Sequence, residues 1–400
     1  MSSFDPYKGV RDFYPEDQRI QNYIFSAMRR AVERFGYEEM NASVLESTDL
    51  YAAKTSEEIV SQQTYTFLDR GERSVTLRPE MTPTVARMVA SRKRELGFPL
   101  RWYSIQNFFR YERPQRGRLR EFWQLNADLF GISSIEADVE VIAVAATVMK
   151  ELGATEKDFV IKVGSRQFLD SVYDSLSVPT EKRQELTRLL DRKEKGADVP
   201  TELLTALAAP DSFPYFRELM ERLATRGIEN AVIDANIARG FDYYTGLVFE
   251  VFDTDPANSR SMFGGGRYDN LVGQYGKEGV PAVGFAMGDV IARDFLETHG
   301  LLPKMSSSAH LYLAPVTEAD TENTAKLADK LRAGGLTVAL GMGHEKMADH
   351  IKTAVKLGIP YFAAFGDKEK ESSSLAVKTL ATQEEKTLHT SEIPGYIEKP

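Results

Sequence analysis

The chain has 400 residues, 42% of them apolar and 27% charged, with a net charge of −9; this suits a soluble protein of two or three domains. No apolar run approaches the ~18–20 residues a bilayer crossing needs, and MSSFDPYKGVRDFYPED lacks the basic-then-apolar order of a secretory signal, so a cytoplasmic location and no membrane partner are expected. The absence of cysteine excludes disulfides and thiolate-bound metals, and the acidic balance argues against a general nucleic-acid coat protein while leaving room for a local basic patch.

In chain order, Ile20, Ile24, Met28, Val32 and Phe35 recur at helical spacing over about 16–35, and Gly36 supplies a stop. Such a helix packs on a sheet or on a second subunit, and the spacing does not distinguish the two. Over 74–88 a short β-rich run ends at Arg78-Pro79-Glu80, and Thr82 and Pro83 open a helix. Glu80 therefore stands at a strand-to-helix junction. The stretch 101–131 reads as two alternating segments joined by a basic turn. Trp123, Leu125, Ala127 and Leu129 fall on one face, and Gln124, Asn126 and Asp128 on the other; Gln106, Arg110 and Glu112 share a face in the first segment. Six arginines stand against one glutamate between Arg101 and Arg120, a reversal of the chain's overall sign that suits an anionic ligand.

From about 165 to 230 the composition shifts to Leu, Glu, Lys and Arg at helical spacing, predicting a helical insertion into the sheet. Strand character returns at 231 and continues to 252, with a turn-like Arg239-Gly240 inside it. The segment 301–308, LLPKMSSS, reads as a linker. Beyond it, strands at 310–316, 336–340 and 361–365 alternate with helices at 322–331 and 345–357, predicting an α/β domain over 309–400 with a mainly parallel sheet. The five histidines (299, 310, 344, 350 and 389) show no metal-pair spacing and are read as structural or solvent-facing; no metal ligands are assigned.

The order F-R-x-E-R-P, a basic turn, then F-W-Q-L-N-x-D-x-F-G resembles motif 2 of the class II aminoacyl-tRNA synthetases in the form found in histidyl-tRNA synthetases. ARGFDYYTGLVFE at 238–250 and FGGGRYDNL at 263–271 resemble segments peculiar to the histidyl enzymes. Alone, the glycine run would read as a tight hairpin. The resemblance extends from G-V-R-D-F-Y-P-E near the N-terminus to the C-terminal domain. It implies an α+β class II catalytic domain over 1–300, an antiparallel sheet flanked by helices with the insertion, and a C-terminal α/β anticodon-binding domain. It further implies a homodimer, with the 16–35 helix and the following strand forming motif 1 at the interface.

The activity it implies is ATP-dependent activation of histidine to histidyl-adenylate, with Mg²⁺ bridging the phosphates, and transfer to the 3′ end of tRNA-His. The histidine carboxylate is already a nucleophile, so rate depends on aligning two anions and stabilising charge at phosphorus. Arginine suits this because its planar fork binds carboxylate and phosphate and stays charged. By motif match, Arg110 and Arg239 are the catalytic cations, and Glu112 joins them in binding ATP. Glu80, Thr82 and Gln124 surround the substrate amino group, while Asp128, Tyr244 and Tyr268 receive the imidazole. Many members of the family would carry Glu at 128; aspartate is one methylene shorter, so the pocket closes in or uses a water. Arg113, Gln115 and Arg116 of the basic turn face the tRNA acceptor end.

One departure stands out. The family's motif 3, G-F-A-x-G-x-E-R, matches at Gly284–Gly288 but places Ile291 where its ATP-binding arginine is expected. The replacement cation could be Arg293, Arg87 or another residue. The alternative function is a catalytically silent paralogue regulating ATP phosphoribosyltransferase in histidine biosynthesis.

Overall fold

Strands in chain order are β1 (Glu38–Glu39), β2 (Leu45–Ser47), β3 (Tyr65–Leu68), β4 (Ser74–Leu77), β5 (Leu100–Phe109), β6 (Glu121–Phe130), β7 (Phe159–Ser165), β8 (Ala231–Ile233), β9 (Leu247–Asp253), β10 (Ser261–Arg267) and β11 (Ala282–Gly288), all in a first compact unit, Met1–Leu302. The computed structural model describes residues 4–52, 63–191, 197–237, 243–258, 260–342 and 346–397. Arg239 and His344 lie outside the described residues. β2, β4 and β3 form a small antiparallel sheet. The other eight form one sheet in the order β1-β5-β6-β11-β10-β9-β7-β8, antiparallel through its centre and parallel at its edges, β1 with β5 and β7 with β8.

The hairpin β5–β6 obeys its alternation. Leu125, Ala127 and Leu129 are buried in the core that the helices cover, and the opposite face carries Gln124, Asn126 and Asp128. That core receives the helix Pro15–Glu33, which begins with Pro15 at its first turn and acidic Glu16 and Asp17 beside it. Gly36 follows at φ +76, a left-handed turn that only glycine adopts without strain. The helix buries Ile24, Ala27, Met28, Ala31 and Val32, packing against the helix Ile135–Glu151. Its apolar face is thus spent within the subunit, as a core helix would spend it.

Four helices, Arg166–Ser175, Thr180–Asp191, Thr201–Leu207 and Pro214–Thr225, fill the predicted insertion. They have a core of their own around Phe168, Tyr173, Leu203 and Phe216. The strand character read over 231–252, with a turn inside it, is carried by two strands, β8 and β9, which do not pair with each other; each pairs with β7. The glycines of FGGGRYDNL do not make a hairpin turn. They lie in the middle of β10, a central strand.

The second unit, Pro303–Pro400, holds β12 (Leu311–Pro315), β13 (Val338–Leu340), β14 (Tyr361–Phe365), β15 (Ser374–Thr379) and β16 (Glu385–His389). Order β13-β12-β14-β15-β16 makes the first three parallel, as crossover helices Thr321–Ala333 and Met347–Lys356 require, and the last two antiparallel. The sheet is therefore half antiparallel; a polar hairpin at its edge lacks the continuous apolar run of a parallel strand, so its pattern did not stand out.

Candidate active site

Two adjoining cavities open on the polar face of the central sheet, and Arg110 and Gln124 line both. The first, about 160 Å³, is bounded by Glu80, Thr82, Asn126, Asp128, Tyr243, Tyr244 and Tyr268, with Gly264 and Gly284 beneath. Every residue predicted to contact histidine is among them. Thr82 starts the helix Thr82–Arg92, and the chain leaving β4 brings Glu80 in beside it, buried. The Tyr243 hydroxyl donates to Glu80 Oε2 at 3.1 Å.

Register explains how so polar a pocket is built in a sheet. Asp128 on β6 stands opposite Gly284 on β11, and a Cβ at Gly284 would strike the Asp128 carboxylate. A Cβ at Gly266 on β10 would come within 3.0 Å of the Tyr244 ring. Glycine at these two strand positions leaves the space that larger side chains from neighbouring segments occupy. Asp128 is 3% exposed and accepts a hydrogen bond from the Tyr268 hydroxyl. Burial pushes its carboxyl up to about 7 even though that bond favours the charged form. Burial likewise pushes the Tyr244 and Tyr268 hydroxyls up, so both stay protonated and able to donate. The shorter aspartate is met by Tyr268, which closes on it directly.

The second cavity, about 210 Å³, is cationic. Arg110, Glu112, Gln115, Arg116, Arg118, Phe122, Arg260 and Ile291 line it. Arg110 Nε donates to the Pro79 carbonyl at 2.9 Å, and its guanidinium stacks over Phe122 at 5.3 Å. Its two terminal nitrogens have no partner among the described residues. Glu112 pairs with Arg118 at 3.0 Å, and Arg116 with Asp294 at 2.7 Å. The turn closes through Gln115 and Arg118, with Gly117 at φ +73.

Not all six arginines of 101–120 serve this cavity. Arg101 binds Glu140 with both prongs, at 2.6 and 2.8 Å, and Arg120 stacks on Tyr111 and bonds Tyr7. Arg113 is exposed and lines neither cavity, whereas Gln115 and Arg116 line the second. Arg267, the arginine of FGGGRYDNL, is buried against Asp138 and holds β10 to the helix Ile135–Glu151. None of the described histidines lines either cavity.

Of the named substitutes for the motif 3 arginine, Arg293 is bound to Asp17 at 3.0 Å and Glu297 at 2.8 Å, and Arg87 to Glu46 at 2.8 Å. Neither reaches the cavities. Ile291 does, as an apolar wall packed beneath Gly117. Sequence reasoning did not select Tyr243, Phe122 or Arg260 individually. Tyr243 sits inside the tyrosine pair of the histidyl segment and Phe122 inside motif 2, so both carried a signal; Arg260, in a polar turn before β10, carried none.

A largely antiparallel sheet with helices behind it and an arginine-bearing hairpin on its open face is the fold of the class II aminoacyl-tRNA synthetases. The pattern of the family described as histidyl-tRNA synthetase matches residues 9–226 and 197–289, and that of the anticodon binding domain matches 310–400. A histidine–tRNA ligase of Leptospira biflexa is 39% identical over 416 aligned positions, covering 96% of this chain and 95% of that protein. One from Haloarcula marismortui is 34% identical, covering 99% and 98%. The crystal structure of histidyl-tRNA synthetase from a Nostoc species superposes with a TM-score of 0.80 over 98% of each chain at 20% identity, a likeness of fold. The chain belongs to the histidyl-tRNA synthetase family. The regulatory-paralogue alternative is not better supported: the matches run through the C-terminal domain.

Proposed function

We propose that this protein joins histidine to ATP, forming histidyl-adenylate and pyrophosphate, and passes the histidyl group to the 3′ end of tRNA-His. The observation carrying this reading is the junction of the two cavities at Arg110 and Gln124. One cavity suits an imidazole with a polar backbone end; the other suits a polyanion; the shared arginine stands where carboxylate and α-phosphate meet.

In the first cavity Glu80, Thr82 and Gln124 receive the substrate ammonium. Asp128, aligned by Tyr268, and Tyr244 hold the ring, since discrimination of histidine requires hydrogen bonds that other side chains cannot return. The histidine carboxylate oxygen attacks the α-phosphorus, and the bond to the β-phosphate bridging oxygen breaks as pyrophosphate leaves. Arg110, with terminal nitrogens unengaged, stabilises charge on the non-bridging oxygens. Arg239 is the second cation by motif match. Mg²⁺ enters with ATP as part of the substrate; Glu112 is the carboxylate lining the phosphate cavity, and among the described residues no group of three potential ligands forms an independent metal site. A terminal hydroxyl of tRNA then attacks the acyl carbon and expels AMP, with Arg113, Gln115 and Arg116 of the turn contacting the acceptor end.

We further propose a homodimer in the cytoplasm. No helix among the described residues is long and apolar enough to cross a membrane. Sedimentation of the full chain tests the dimer. The activity is tested by histidine-dependent exchange of labelled pyrophosphate into ATP: exchange is expected, and folded protein with Mg²⁺ that shows none refutes it. Arg239→Ala is expected to abolish exchange while leaving the sedimentation coefficient unchanged.

A further inference from the structure

We infer that Arg260 binds the β- and γ-phosphates of ATP, supplying the positive charge that Ile291 does not. This rests on the ATP reading above. Four guanidinium groups line the second cavity; two of them are held in ion pairs and a third is anchored through one nitrogen. Arg116 is held by Asp294 and Arg118 by Glu112; Arg110 is anchored to the Pro79 carbonyl and faces the histidine cavity as well. Arg260 has no carboxylate, carbonyl or hydroxyl partner among the described residues. It is exposed at the cavity wall, just before β10, with Ser261 and Met262 continuing the same wall.

Ile291 packs against the turn at Gly117, on the helix Asp289–Thr298. The helix that carries the family's motif 3 therefore presents hydrocarbon to the cavity, and charge arrives instead from the turn that leads into β10. Adenine is neutral and would gain little from an uncompensated guanidinium, whereas the polyphosphate carries most of the nucleotide's negative charge. Arg110, shared by both cavities, belongs at the α-phosphate; Arg260, lining only the second, belongs at the phosphates beyond it. A planar fork without a protein partner needs no ion pair broken before it accepts phosphate oxygens.

The test is calorimetric titration of the full-length protein with ATP and separately with AMP, both with Mg²⁺, for wild type, Arg260→Ala and Arg260→Gln. ATP affinity should fall about tenfold in both variants, while AMP affinity, lacking the two distal phosphates, stays within about twofold. Ile291→Arg added to Arg260→Ala should recover most of the lost ATP affinity, because it returns a cation to the same cavity. Unchanged ATP affinity, or equal losses for ATP and AMP, overturns the assignment. A wild type that binds ATP yet exchanges no pyrophosphate defeats the synthetase reading separately, and the ATP-to-AMP ratio still decides the role of Arg260.

Discussion

The two cavities that share Arg110 and Gln124 are built on opposite electrostatic principles. Around Asp128 the walls are largely buried; in the proposed reading, recognition there rests on hydroxyls and on two carboxylates held out of water, Glu80 and Asp128, and burial raises the proton affinity of Asp128. Around Arg118 and Arg260 the groups are partly in solvent, and in the proposed reading recognition there rests on permanent charge. Selectivity for a small side chain needs desolvated groups that suffer when the wrong partner is present. Grip on a polyphosphate needs cations, and arginines tolerate exposure because they never lose theirs. The difference predicts that the first region responds to pH and to single atoms, and the second to salt and to charge.

The largest effect is expected at the shared wall. Arg110→Ala should lower the rate of histidine-dependent pyrophosphate exchange by roughly 10²–10³-fold, on the scale of a lost transition-state donor. An effect on the Michaelis constants alone would mean that Arg110 binds the ground state only.

Asp128→Asn sharpens the contrast through pH. The folded carboxyl lies near 7, above its ordinary value of 3.8, so the folded state holds this proton more tightly. The associated stability is fully present below about pH 4 and is lost as pH rises through about 7, by linkage amounting to roughly 4 kcal/mol at most. The asparagine variant cannot ionise; its stability relative to wild type should rise between pH 4 and 8 in urea unfolding. Parallel curves for the two proteins would show that Asp128 titrates normally. The same variant should raise the KM for histidine by about 10–100-fold, the range for an unpaired polar contact.

Tyr243→Phe should be milder. Removing the donor to Glu80 is expected to cost on the order of 1 kcal/mol, read as about a fivefold rise in the KM for histidine with the KM for ATP unmoved. If both constants rise together, the tyrosine pair supports the whole site rather than the amino-group corner. The smallest effect belongs to Arg113→Ala, exposed and outside both cavities: exchange should stay within about twofold, with a loss confined to tRNA charging that deepens with salt.

Much of this molecule was legible in its residues. Alternation at 101–131 gave both the hairpin and its polar face, because a pleat sorts successive side chains by itself. The helix read at about 16–35, the insertion and the βα alternation beyond 309 followed from local period and breakers. What stayed hidden has a common cause. Whether the first helix buries its apolar face at home depends on partners far along the chain. The glycines of β10 and β11 look like turn residues until the strands facing them are known. Arg293 and Arg260 are indistinguishable as arginines; one is held by Asp17 and Glu297, and the other faces a cavity.

The sequence by itself determined which residue types were present for the chemistry and which local elements would carry them, since propensity and period act between near neighbours. Only the tertiary structure decided which cations remain unspent, how far burial raises Asp128, and which turn brings Arg260 to the second cavity, because ion pairing and desolvation depend on distances that chain order does not contain.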